Sequence, residues 1–108
     1  MNINCKGRVI VPTPGTPVPL TTDPSVTASK LFFQVIPGLT GKTYVGVSGM
    51  SKATLGGVAR ILWPNASGGF SETFYIESQD GTNSIRVKDY VIDAEVAGEG
   101  LLVTYWQE

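Results

Sequence analysis

Lys30-Leu31-Phe32-Phe33-Gln34-Val35-Ile36, closed by Pro37-Gly38, is the stretch that decides the fold class. It is the most apolar run in the chain and is only seven residues long. Two adjacent Phe and β-branched neighbours over that length predict a buried central strand, because a helix needs a longer periodic run. Outward from it, Thr43-Tyr44-Val45-Gly46-Val47-Ser48 reads as a strand, and the Gly41-Lys42 turn predicts a hairpin with 30–36. Residues 50–57 read as an irregular loop, followed by a strand over 57–63 that Pro64-Asn65 stops. Residues 69–77 (GFSETFYIE) alternate, with Phe70, Phe74 and Ile76 on one face. Asp80-Gly81-Thr82-Asn83 is a turn, and Gly98-Glu99-Gly100 leads into a closing strand over 100–106.

Upstream, Ile3 to Val11 opens as a strand and runs into Pro12-Thr13-Pro14-Gly15-Thr16-Pro17-Val18-Pro19. Prolines cannot donate ladder hydrogen bonds, so 12–19 is expected to be an extended, polyproline-like strap or edge, with the strap held by contacts to a neighbour. A turn around Asp23-Pro24 follows. Residues 82–97 contain neither Gly nor Pro and fit two patterns. Val87, Tyr90, Val91 and Ala94 make a helical stripe; Tyr90, Ile92, Ala94 and Val96 make a strand face with Asp89, Asp93 and Glu95 opposite. The β-branched content favours the strand.

Val, Thr, Gly and Pro fill 43 of 108 positions, which suits strands and turns. The expected architecture is therefore all-β: one antiparallel, jelly-roll-like β-sandwich of about eight strands spanning 1–108. Within it, 1–27 would form the N-terminal strand and Pro-rich strap, and 28–108 the core sandwich.

Charged residues make up 16% of the chain and the net charge is −1, with eight basic residues scattered singly. Nucleic-acid binding needs a clustered positive field, and none is present. The first residues hold no apolar core of signal-peptide length, and no run reaches the ~20 apolar residues of a membrane span. Neither nucleic acid nor membrane is expected as a partner. So few charges leave the surface less protected against association, which suits a chain that ends against a neighbour.

The chemistry on offer is thin. There is no His, so His-based triads and general bases are absent, and the single Cys5 has no cysteine partner for a disulfide or zinc site. Asp93 and Glu95, two apart on a strand, would lie ~6.6 Å apart, within glycosidase range, but a solvated strand face gives the same spacing. Asp80-Gly81-Thr82-Asn83 lacks the repeated acids of a calcium loop. Asn65-Ala66-Ser67 matches a glycosylation triplet, but without a leader the match is coincidental. Trp63, Tyr75, Tyr90, Tyr105 and Trp106 could make a sugar-stacking platform, or could serve packing. No catalytic, cofactor-binding or metal-binding residue is assigned, no cofactor is expected, and the chain is not read as an enzyme.

Two segments resemble a known pattern. Thr40-Gly41-Lys42-Thr43-Tyr44-Val45-Gly46-Val47-Ser48-Gly49 resembles a TGxxYVGxSG hairpin of small virion proteins of tailed bacteriophages. Residues 87–105, with Asp89, Tyr90, Asp93-Ala94 and Gly98-Glu99-Gly100, resemble the closing strands of the same proteins. The resemblance covers roughly 28–107 and implies a capsid decoration or cement protein on the virion surface, made in the host cytoplasm. It further implies the major capsid protein as partner and a homo-oligomer on the particle. A carbohydrate- or receptor-binding accessory of the head or tail is the alternative. The pattern carries no catalytic residue, and the Pro-rich 12–19 segment lies outside it.

Overall fold

The computed structural model describes residues 2–64 and 71–108. The strands are β1 (Asn2–Val11), β2 (Val18–Pro19), β3 (Thr27–Ala28), β4 (Lys30–Val35), β5 (Thr43–Val47), β6 (Val58–Leu62), β7 (Thr73–Glu77), β8 (Ile85–Arg86), β9 (Tyr90–Ala94) and β10 (Glu99–Gln107). One sheet has the order β1-β10-β4-β7, the second β2-β9-β5-β6, and β3-β8 form a short ribbon. All pairings are antiparallel. Four of them, β1 with β10, β2 with β9, β4 with β7 and β5 with β6, are those of one long folded hairpin; β3 with β8 adds a rung to it. Rolling that hairpin creates the remaining contacts, β10 with β4 and β5 with β9. This is the jelly-roll connection of two four-stranded sheets.

Sequence alternation builds the interior. Along β4, Leu31, Phe33 and Val35 are buried while Lys30, Phe32 and Gln34 are half-buried on the other face. Leu101, Val103 and Tyr105 of β10 join them from the same sheet, and Val45, Leu62, Ile92 and Ala94 come from the second. Val9, Val11 and Leu20 belong to this same cluster, so the first 27 residues supply core side chains together with the later strands.

Three sequence expectations change. The 30–36 and 43–48 strands are not a hairpin: β4 and β5 lie in different sheets, and 37–42 crosses between them. In 82–97 the strand occupies only 90–94; Val87–Asp89 form a 3-10 turn, and Ile85–Arg86 pair with β3. The Pro-rich segment is a turn followed by a short edge strand, Val18–Pro19, and not an extended strap throughout. Thr16 N–H donates to the Thr13 carbonyl at 3.0 Å and Gly15 has φ +91°, so Pro14-Gly15 sit at the centre of a tight turn. Pro fixes the first central position and Gly supplies the positive φ of the second, the requirement of a type II turn. Val18 and Pro19 then pair with Ile92 and Val91, and Leu20 N–H donates to the Tyr90 carbonyl. The chain itself supplies contacts that anchor the segment. The Asn65-Ala66-Ser67 triplet and Phe70 lie outside the described residues.

Gly100 is where β1 and β10 meet most closely: a Cβ there would overlap the Val9 carbonyl oxygen. Gly100→Ala should force the two strands apart and cost about 3 kcal/mol or more. Gly56→Ala, where the nearest atom to an added Cβ is the Thr54 hydroxyl at 3.4 Å, is the matched control. Thermal melts of the two variants should differ widely; equal melting temperatures would contradict the assigned register.

Candidate functional site

The two sheets treat their outer faces differently. On the second sheet, the 48–57 connection folds back over β5, so that Tyr44, Met50 and Val91 are buried with Val58 and Ile61 against them. Gly46 makes room, since a Cβ there would overlap the Gly57 carbonyl oxygen and lie 2.6 Å from the Met50 sulfur. This second layer explains why Thr43–Gly46 are buried on both sides of the strand. The turn at 13–16 covers the neighbouring region, where Gly15 N–H donates to Asp93 Oδ1 at 3.0 Å.

Among the described residues, the outer face of the first sheet has no such layer. Directly opposed antiparallel residues point to the same side. The register therefore sets out three rows: Ile3, Trp106, Lys30, Glu77; then Cys5, Thr104, Phe32, Tyr75; then Arg8, Leu102, Gln34, Thr73. Ile3 and Tyr75 are each 56% exposed, Cys5 is exposed, and Phe32, Leu102 and Trp106 are half-buried. The Lys30 ammonium lies 4.5 Å from the Tyr75 ring centre and 5.3 Å from that of Trp106. Phe32 meets Trp106 edge-on at 85° with centroids 6.2 Å apart. A groove of about 310 Å³ lies at one end of the face, between Trp106, Lys30, Glu77, Ser29, Gly81 and Glu108.

One local signal of this face is passed over by a plain alternation reading. Phe32 stands at an outward position of β4, where a solvated strand would carry a polar residue. Ile3 and Leu102 join it only through the register, which no local pattern discloses.

The acids singled out in the sequence do not share one solvated face. Asp89 lies in the 3-10 turn, with an exposed ion pair to Arg86 at 3.8 Å. Asp93 is 1% exposed, because the 13–16 turn lies over it. Its Oδ1 accepts from Gly15 N–H and from its own neighbour Ala94 N–H at 2.8 Å, while Oδ2 is buried with no partner among the described residues. Glu95 follows the strand and is exposed; its carboxylate accepts from the Tyr44 hydroxyl and faces Lys52 at 3.4 Å. Asp93 therefore acts as a clamp for backbone and Glu95 as a rim acceptor. Neither has the open water-filled position between two carboxyls that glycoside cleavage requires.

Tyr44 donating to Glu95 holds that carboxyl below the usual glutamate range, against the opposing effect of burial and with help from Lys52. The same bond, with burial and the charges of Glu95 and Asp93, pushes the Tyr44 hydroxyl up to about 12. At Glu99, burial raises the carboxyl, but donors from Thr40 N–H, Gly41 N–H and the Thr40 hydroxyl outweigh it and the net direction is down. Asp80 and Asp23 cap their own turns through Thr82 and Ser25.

The aromatics divide. Tyr105 is buried in the core, Tyr90 and Trp106 are half-buried, and Tyr75 and Trp63 are more than half exposed. Lys42 lies 4.9 Å from the Trp63 ring centre. Among the described residues no group of three or more His, Cys, Asp or Glu converges as a metal site, and no helix is long and apolar enough to cross a membrane. Comparison with protein-family models, with curated proteins and with solved structures returned no match.

Two outcomes test this geometry. Tyr44→Phe should lower stability by about 1 kcal/mol, a charged hydrogen bond discounted for the exposure of Glu95. The lowered Glu95 pKa makes its contribution present above the ordinary glutamate range and lost as pH falls through it. The raised Tyr44 pKa makes its contribution present below pH 10 and lost as pH rises towards 12. The gap between wild type and Tyr44→Phe in urea midpoint should therefore be widest between about pH 5 and 10 and narrow on both sides; a gap independent of pH would contradict the assignment. Separately, Asp93→Ala should release the 13–16 turn. Limited proteolysis should nick the variant there while the wild-type monomer stays intact; nicking of both at equal rates would contradict the clamp.

Proposed function

We propose that this chain is a structural protein of a tailed-bacteriophage virion, a capsid decoration or cement protein that binds the assembled shell and stabilises it. The observation that carries the reading is the contrast between the two outer faces. One is covered by the chain's own loop and turn; the other has no such cover among the described residues and keeps Ile3, Phe32, Leu102, Tyr75 and Trp106 at its surface. Bare apolar area of this kind is kept for a neighbour, since its burial is worth ~25 cal/mol per Å². The jelly-roll sandwich supplies the rigid body, and the resemblance of 40–49 and 87–105 to phage virion proteins supplies the setting. A shell repeats its sites many times, so a modest contact per copy becomes durable when several are made together.

The carbohydrate-binding alternative needs free, parallel ring faces. On the bare face Lys30 stands over Tyr75 and Trp106, and Phe32 abuts Trp106 at right angles. That arrangement favours protein contact over sugar stacking.

The test is thermal genome release from intact, depleted and replenished particles. Depleted particles should assemble with the correct geometry but rupture at a lower temperature, because bound copies stabilise the shell in proportion to occupancy. Adding purified protein should restore the rupture temperature saturably. Depleted particles as stable as intact ones, yet unable to attach to cells, would replace the cement reading with receptor binding.

A further inference from the structure

We infer that the free edge of β7 takes up an extended backbone segment of a coat subunit, as a fifth strand of the β1-β10-β4-β7 sheet. The identity of the partner rests on the proposed function; the edge itself is read from the hydrogen-bond register.

Residues of an antiparallel ladder alternate between pairs that exchange both backbone bonds and pairs that exchange none. Between β4 and β7 the phase is fixed at both ends. Val35 N–H donates to the Glu72 carbonyl at 3.0 Å, and Ser78 N–H donates to the Ser29 carbonyl at 2.9 Å. Two steps inward, Phe33 with Phe74 and Leu31 with Ile76 are therefore bonded pairs. Thr73, Tyr75 and Glu77 stand opposite Gln34, Phe32 and Lys30 in the pairs that exchange none. Their N–H and C=O groups point away from β4, and β7 is the last strand of its sheet. Among the described residues no backbone group meets them. Donors and acceptors repeating every ~6.8 Å along a line match one ligand chemistry, a second extended backbone.

The other edges of the two sheets are defended. β1 shifts register between Cys5 and Gly7, where Gly7 has φ +84° and Lys6 is exposed. β2 is two residues long and ends in Pro19, which has no N–H. β6 has a bulge at Ala59 and an exposed Arg60, and the Trp63 N–H just beyond it is capped by the Glu72 carboxylate at 2.9 Å. Bulges, prolines, charges and short length are what keep an edge strand from pairing with another chain. β7, Thr73-Phe74-Tyr75-Ile76-Glu77, has an unbroken register, no Pro and no Lys. Its first four residues are aromatic or β-branched, and its one charge stands at the end. An undefended edge, in a chain that defends the others, is a place kept for a strand.

Tyr75 joins this edge to the face beside it. Its N–H and C=O lie on the edge, and its ring lies on the outer face proposed to meet the shell. Whatever rests on that face is within about one strand spacing, ~4.8 Å, of the edge. On the inner side Ile76 is half-buried against the core, and a fifth strand would cover it. The segment recognised is therefore extended, with an apolar residue beside Ile76, no proline opposite Tyr75, and room for a basic residue beside the exposed Glu77.

The experiment is amide hydrogen exchange of the purified chain, free and bound to depleted particles, together with two pairs of substitutions. In the free protein Thr73, Tyr75 and Glu77 should exchange fast while Phe74 and Ile76 are protected. On particles all three should slow by about tenfold or more, the effect of one backbone bond gained at each. Tyr75→Pro removes an N–H that the β4–β7 ladder does not use. It should fold, yet bind particles about tenfold or more less tightly than Tyr75→Ala, which loses the same ring and keeps the N–H. Thr73→Pro against Thr73→Ala repeats the comparison at the first residue of the strand, and decides the matter if circular dichroism finds Tyr75→Pro unfolded. Protection of all three amides in free monomer, unchanged exchange on particles, or a folded proline variant that binds as well as its alanine partner would overturn the inference. So would a free dimer that Tyr75→Pro dissociates, since the edge would then belong to a second copy. Particles stabilised as well by the proline variants as by wild type would sink the added strand and leave the cement reading standing. Particles that wild type neither binds nor stabilises would sink the cement reading itself, and the coat partner with it.

Discussion

The ladder between β1 and β10 joins Asn2 to Gln107 and Val11 to Glu99, so the first and last strands of the chain are neighbours. Closing a loop of ~100 residues costs about 4 kcal/mol in chain entropy. The ladder offsets that by burying Val9 and Val11 of β1 beside Leu101 and Val103 of β10, each worth about 1.5–3 kcal/mol. Burial wins, but only if the two backbones come close enough, and Gly100 is what permits it under the Val9 carbonyl. Strand β10 is hydrogen-bonded on both sides, to β1 and to β4, so every strand of the first sheet depends on its position.

Once the hairpin is rolled, the two sheets are alike in strand number and differ in what their connections do. The 48–57 loop between β5 and β6 is long enough to fold back, and the Thr13–Thr16 turn between β1 and β2 drops onto Asp93. Both land on the second sheet. The outer face of the first sheet receives neither and keeps Ile3, Phe32, Tyr75 and Trp106 at its surface. The candidate site is thus a consequence of where loops go.

Local features of the fold were legible in the sequence: β4 from its apolar run, the Asp23 and Asp80 turns from their composition, β6 and β10 from runs bounded by Gly or Pro. Long-range ones were not. A hairpin between β4 and β5 looked natural because Gly41-Lys42 separates them, yet sheet membership is set by which partners bury Leu31, Phe33 and Val35, and those lie some seventy residues on. The Pro14-Gly15 turn was hidden by the density of prolines around it, although Pro followed by Gly is itself a turn signature. Asp93 was misplaced for a subtler reason. Alternation identifies its face correctly, but whether that face meets water depends on a turn nearly eighty residues earlier.

The two segments that carry the phage resemblance are spatial neighbours, and their residues hold each other. Tyr44 reaches Glu95, and Thr40 and Gly41 donate to Glu99. Tyr44 also stands opposite Asp93 in the β5–β9 ladder. Gly46 and Gly100 admit close carbonyls, and Gly49 and Gly98 adopt positive φ at turns. The pattern therefore reads as a set of backbone requirements for seating β5 on β9 and starting β10. Of the residues at issue on the bare face, Ile3, Arg8, Phe32, Tyr75 and Glu77 lie outside both segments. A chain can keep the pattern, and with it the jelly roll, while changing what its outer face presents. The fold and the character of this outer face are in this way encoded by largely separate residues.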